Sequence, residues 1–299
     1  MPELPEVETM VRQLREGGGE RGPSVVGRTI TRVTVKWPRH IARPSARAFK
    51  ERLPGQKIAD VSRRGKYLVF NLSRDVMLIH LKMTGDLSVV NGNAAPPAGK
   101  HAHTIFHFDD GAELRFNDTR KFGKVFLVGR ADEVVGELGP EPLEPGFTPK
   151  KLAAMLARKK RALKPLLLDQ TFIAGLGNIY ADESLHLAKL HPLRRSDSLK
   201  PAEARALWQG IRQALRTGLK HDGASIDRVY RGGGFQNYFR VYDREAEPCF
   251  TCWTPIRRIV VGQRGTHFCP KSKRWCANCA RGTASAAHRW LAERLRGSR

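Results

Sequence analysis

The first ten residues, MPELPEVETM, hold two prolines and three carboxylates. Glu3 and Glu6 stand one helical turn apart, a spacing that suits shared acid–base work or simply negative charge at a helix start. A second reactive group is the five cysteines, all between Cys249 and Cys279. CFTC pairs Cys249 with Cys252, Cys269 follows, and CANC supplies Cys276 and Cys279. Two such pairs joined by a β-hairpin make a zinc ribbon, because tetrahedral Zn2+ takes four thiolates from two short turns lying side by side. Here five thiols compete for four positions. Hairpin strands PIRRIVV and THF, with GQRG at the tip, set Cys269 beside Cys252 and leave Cys276 or Cys279 as fourth ligand. The alternative takes both members of CANC and leaves Cys269 free. One structural Zn2+ is expected, and a redox pair is the other use of such thiols.

The rest of the composition narrows the partner. The 299 residues carry 53 Lys plus Arg against 29 Asp plus Glu, a formal net charge of +24. Such an excess calls for a polyanion, and nucleic acid is the commonest; a basic halo serving solubility is the bland reading. No apolar run reaches the roughly 18 residues that cross a bilayer, and no basic-then-apolar signal opens the chain. A cytoplasmic protein without membrane contact is expected, and a monomer.

The elements that must position these residues fall into two halves. Val7, Met10, Val11 and Leu14 recur at helical spacing until Gly17 to Gly19 stop the pattern. From Thr29 to about Val128 the signals are strands: RVTVKW alternates, KYLVFNL and VMLIHL are short apolar runs, and TIFHFDDGAELRF predicts two strands joined at Asp110 and Gly111. A sandwich or barrel follows. The turn-rich ELGPEPLEPGFTP then gives way to helical KLAAMLARKKRALKPLLLDQ, NIYADESLHLAKL and PAEARALWQGIRQALRTGL, the last with Ala204, Leu207, Ile211, Leu215 and Leu219 on one face. Between the first two, TFIAGLGN reads as a tight turn offering free helix-start amides to phosphate, or as a plain helix connection.

PELPEVET, RRGKYL, HLKMTG, NDTRKFG, LGPEP, LLLDQTFIAGLGNIYADE, VYDRE and QRGT resemble, in order, the blocks of the bacterial formamidopyrimidine-DNA glycosylase (Fpg/Nei) family. The resemblance implies an α+β fold: an N-terminal β-sandwich with its leading helix over 2–135, a helix-two-turn-helix unit over 150–235, a zinc finger over 240–282 and a basic tail over 283–299. It also implies a bifunctional base-excision enzyme that removes oxidised purines, 8-oxoguanine and formamidopyrimidines, from double-stranded DNA. The same enzyme would cut the abasic strand by β,δ-elimination.

On that resemblance the opening residues gain roles. With Met1 removed, Pro2 presents a secondary amine whose pKa of about 7.7 to 8.0 lies far below lysine's. It would attack the sugar carbon and form a cationic iminium. Glu3 matches the family's general acid and base, Glu6 would orient the terminus, and Lys66 and Arg264 would contact phosphates and assist the two eliminations. Met83, Arg120 and Phe122 match the residues that fill the space of the extruded base. His101, Lys160 and Asn178 align with DNA-contacting positions.

Departures stand beside these matches. Ser272 occupies the place of a finger cysteine, Lys121 stands where the family commonly has Arg, and the loop RVYRGGGFQNYFR is short and rich in Gly. A glycosylase for oxidised pyrimidines and a non-catalytic DNA-binding relative are the competing functions. The closing HRWLAERLRGSR reads as a basic helix or solvated tail.

Overall fold

The computed structural model describes residues 1–91, 97–225 and 232–271. Cys276, Cys279, Ser272, the 283–299 tail and residues 226–231, which include the first four of the glycine-rich loop, lie outside the described residues.

Helix α1 (Leu4–Glu16) carries Pro5 in its first turn, where a missing N–H costs nothing, and ends at Gly17 with φ 82°. Its buried stripe is divided between two cores. Val7, Met10, Val11 and Leu14 pack into the sheet core, and Leu4 packs into the helical one. The residues ahead of α1 are therefore held at the junction of both cores.

Nine strands follow: β1 (Thr29–Val35), β2 (Ile41–Arg43), β3 (Gln56–Arg64), β4 (Tyr67–Leu72), β5 (Val76–His80), β6 (Gly85–Val90), β7 (Ala102–Phe108), β8 (Glu113–Asp118) and β9 (Lys124–Val128), with α2 (Ala46–Arg52) between β2 and β3. The sheet order is β2-β9-β5-β4-β3-β1-β7-β8-β6. Strands β1 and β3 share only the pairs Thr29↔Lys57 and Ile30↔Gln56. The sheet folds over at this seam, so Ile58, Val61, Leu68 and Phe70 of one half share a core with Ile30, Val33, Phe106 and Phe116 of the other. That is the expected sandwich, and Asp110–Gly111 turns β7 into β8 as predicted.

A short helix α3 (Asp132–Val135) leads to the helical part: α4 (Pro149–Ala157), α5 (Leu163–Leu168), α6 (Asn178–Leu187) and α7 (Pro201–Lys220). The segment KLAAMLARKKRALKPLLLDQ is not one helix. Pro165 cannot sit mid-helix, so the chain breaks after α4 and restarts with Pro165 in the first turn of α5. On α7, Ala204, Leu207, Ile211 and Leu215 are buried as the periodicity requires. The finger hairpin pairs β10 (Arg257–Val261) with β11 (Arg264–Phe268) across Gly262 and Gln263, so Arg264 opens a strand. No helix among the described residues is long and apolar enough to cross a membrane.

Candidate functional site

Pro2 is buried, and Glu3 is 3 % exposed. The Glu3 carboxylate forms a capping box with Glu6 at the start of its own helix and also reaches beyond it. Its Oε1 accepts the Ile179 N–H at 2.9 Å and its Oε2 the Tyr180 N–H at 3.4 Å, so it caps α6 from 176 residues away. The GLG turn is shaped for this contact. A Cβ on Gly177 would lie 2.3 Å from Glu3 Cδ, and one on Gly175, at φ +88°, 2.7 Å from Leu4 Cδ1. The two helix-start amides expected to be free for phosphate are thus taken by a carboxylate of the chain itself. Asn178, the first residue of α6, donates instead to the Gly265 carbonyl of the finger at 2.9 Å.

Glu6 closes the other side. Its carboxylate accepts the Glu3 N–H at 2.8 Å, the Tyr180 hydroxyl at 2.8 Å and the Ala224 N–H at 2.7 Å. Burial, then the charge of Glu3, push its carboxyl from 4.5 up to about 7. The folded state therefore keeps a proton that the unfolded chain releases at 4.5. Stability should fall as pH rises from 4.5 to 7 and then level off, by an amount on the order of 3 kcal/mol. Urea titrations of wild type and Glu6→Gln across this window check it, and equal slopes would refute it.

Lys66 lies in the turn between β3 and β4, after Gly65 at φ +58°. It is 4 % exposed, so a solvated edge lysine is ruled out. Burial holds its ammonium below the usual lysine range, opposed by Glu3 and Glu6 and reinforced by Arg264. Glu141 of the LGPEP segment fixes this turn, accepting from Arg63 and Arg64, each at 2.9 Å, and from the Gly65 N–H at 2.6 Å. Gln170 links the segment onward, its carbonyl accepting from Gly139 and its amide oxygen from Gly175.

Arg264 is placed through α6. Asp182 is fully buried; it pairs with Lys164 of α5 at 2.5 Å and accepts the His267 N–H of β11 at 2.9 Å. Next to it, Glu183 accepts the successive backbone N–H groups of Arg240, Val241 and Tyr242 at about 3 Å. These two carboxylates dock the finger, because a buried charge with one partner removed is strongly destabilising.

The sulfurs of Cys249, Cys252 and Cys269 lie within 4.8 Å of one another, with Cys252 and Cys269 at 3.4 Å. Cys269 is therefore in the cluster, as the hairpin symmetry predicts. Burial pushes its thiol up to about 12. Three clustered thiols fit Zn2+, which deprotonates them and neutralises the charge they gain. Cys276 and Cys279, the candidates for a fourth ligand, lie outside the described residues.

Met83, Arg120 and Phe122 converge on the surface. Met83 is 39 % and Phe122 49 % exposed, so neither is a core residue. Arg120 Nη1 stands 3.4 Å from Met83 Sδ, and its guanidinium sits 4.8 Å from the Phe122 ring centre. Lys160 is exposed on the α4–α5 connection, and half-buried His101 accepts the Asp118 N–H through its carbonyl.

Known proteins are similar to this chain over most of its length. The family model for the formamidopyrimidine-DNA glycosylase N-terminal domain matches residues 1–125, that for its H2TH domain residues 138–229, and a zinc finger found in FPG and IleRS residues 246–271. The chain belongs to the formamidopyrimidine-DNA glycosylase family. Formamidopyrimidine-DNA glycosylase of Symbiobacterium thermophilum is 45% identical over 91% of this chain and 88% of its own length. That of Lactiplantibacillus plantarum is 43% identical over 92% and 100%. Among solved structures, MutM in complex with DNA containing carbocyclic 8-oxo-G superposes with TM-score 0.83 at 36% identity, covering 92% of this chain and all of the other. Lactococcus lactis Fpg with DNA containing an abasic site gives 0.83 at 35%, covering 91% and 100%.

Within this glycosylase frame, Glu141, Lys164, Asp182 and Glu183 are positioning residues that the sequence reading passed over. The only sequence signal for Glu141, Asp182 and Glu183 was membership in the LGPEP and YADE blocks, and Lys164 lies outside both.

Proposed function

We propose that the chain is a base-excision DNA glycosylase for oxidised purines, with Pro2 as nucleophile once Met1 is removed. The Pro2 nitrogen attacks C1′ of the damaged nucleotide and the bond from C1′ to the base breaks, the base leaving with a proton. Glu3 supplies the proton to the sugar or base and then takes one from C2′. The C1′–O4′ bond breaks, O4′ taking up the proton that the Pro2 amine sheds, and this leaves an iminium between Pro2 and C1′; loss of the C2′ proton then pushes electrons toward it and expels the 3′ phosphate, and loss of a further sugar proton expels the 5′ phosphate. Lys66 and Arg264 offset phosphate charge during these departures. Met83, Arg120 and Phe122 occupy the space left in the duplex, with Arg120 reading the opposite base. The reading places the enzyme on the chromosome in a bacterial cytoplasm.

The observation that carries this proposal is the Glu3 carboxylate, buried beside Pro2 and held by two α6 amides next to buried Lys66. Abasic duplex with borohydride should trap a covalent adduct, strongly diminished in Pro2→Gly. An undiminished adduct would reject the nucleophile. A lesion panel should favour 8-oxoguanine and formamidopyrimidines; faster excision of oxidised pyrimidines would move the enzyme to the other branch.

A further inference from the structure

Phe122 and Arg120 can replace a base only if their loop already points at the duplex, and the structure contains a support for that loop which no step above uses. Asp118 ends β8 and is 1 % exposed. Its Oδ2 accepts the Gly123 N–H at 2.7 Å, and its Oδ1 accepts the Arg120 N–H at 3.2 Å and the Thr84 hydroxyl. Thr84 Oγ1 accepts the same Arg120 N–H at 3.0 Å, tying in the turn that carries Met83. Fully buried His40 backs the carboxylate, with Nε2 at 3.5 Å. Burial alone would raise the Asp118 carboxyl, but neighbouring His40 and the hydrogen bonds from Thr84 and Gly123 hold it at about 2.

The second support is Trp37. Lys121 sits between the two inserting residues at φ 58°, a left-handed conformation that a non-glycine residue seldom adopts. Its ammonium is carried 4.5 Å from the Trp37 ring centre, and Arg39 lies over the same ring at 5.6 Å. Lys121 is thus directed back onto the protein while its neighbours on both sides face outward.

Building on the glycosylase reading above, we propose that Asp118 and the Trp37–Lys121 pair are positioning residues that preset Arg120 and Phe122 for base extrusion. They act through the loop and touch no substrate. A held loop has no ordering entropy left to lose when it enters the stack.

The test compares one lesion strand in two duplexes: 8-oxoguanine paired with cytosine, and 8-oxoguanine facing a one-nucleotide gap. The gap leaves no partner base to displace or read. Single-turnover excision from the paired duplex should fall roughly tenfold or more for Asp118→Asn, the scale of losing one hydrogen bond to a charged group, and about threefold or more for Trp37→Leu, the scale of losing a cation–π contact. Excision from the gapped duplex should stay within about twofold. Equal losses on both duplexes, or no loss on either, would overturn the positioning role. Trp37→Leu leaves every sheet hydrogen bond in place and carries the test should Asp118→Asn fail to fold. A wild type inactive on both duplexes would instead sink the glycosylase reading on which the role rests.

Discussion

Glu3→Gln should lower base release by about 10² to 10⁴-fold, the range contributed by a positioned acid–base group. The loss should be selective. Pro2 keeps its amine, so the variant should still form a borohydride-trapped adduct on DNA that already contains an abasic site, where no base has to leave. A carboxamide cannot reproduce the native contacts either: its oxygen can accept one of the Ile179 and Tyr180 amides, while its NH2 turns toward the other. Some stability should be lost with it, about 1.5 to 3 kcal/mol for a hydrogen bond to a charged group. Lesion excision and adduct formation measured on one preparation, with its urea midpoint, separate chemistry from folding. Normal excision by Glu3→Gln would remove Glu3 from the mechanism.

Metal removal should produce the other large effect. The finger hairpin has five residue pairs, from Arg257↔Phe268 to Val261↔Arg264. The apolar cluster beneath it is built on Val241, Cys249, Ile256 and Cys269. A two-stranded hairpin with so small a core is marginal by itself, whereas a structural Zn2+ contributes about 10 to 16 kcal/mol of folding free energy. Chelation, or Cys269→Ser, should therefore unfold the finger and cut strand cleavage severely, because Arg264 loses its place. The sandwich and the helical core each have their own packed interior and should survive as a separate, later transition in calorimetry. Zinc content, two-step melting and cleavage should change together. Full cleavage by metal-free protein would show that the finger does not position Arg264.

The finger's metal chemistry, the leading helix, the turn at Asp110–Gly111 and the order of the family blocks were all determined by the sequence alone. Each depends on spacing between near neighbours: thiols with two residues between them, apolar residues every three or four, a two-residue turn between alternating runs. Such signals survive without coordinates because backbone geometry converts short separations directly into faces and turns. The identities of Pro2, Glu3 and Lys66 were legible in the same way, as parts of blocks. Their surroundings were not. Glu3 reads as a helix-start charge, and only tertiary structure sends its carboxylate to α6 and thereby takes the amides that the GLG turn by itself would offer phosphate. Lys66 is placed in the sequence only by its match to the RRGKYL block, and the fold alone shows it buried, with Glu141, 75 residues further on, fixing the turn beneath it. Apolar Met83 and Phe122 could have been core residues, and only the fold shows them exposed, Phe122 in a loop whose Arg120 and Gly123 amides are held by Asp118. In every one of these cases a charged or polar group leaves water only where distant segments supply its partners. That choice is a balance of desolvation against contacts across the fold, which no local spacing encodes.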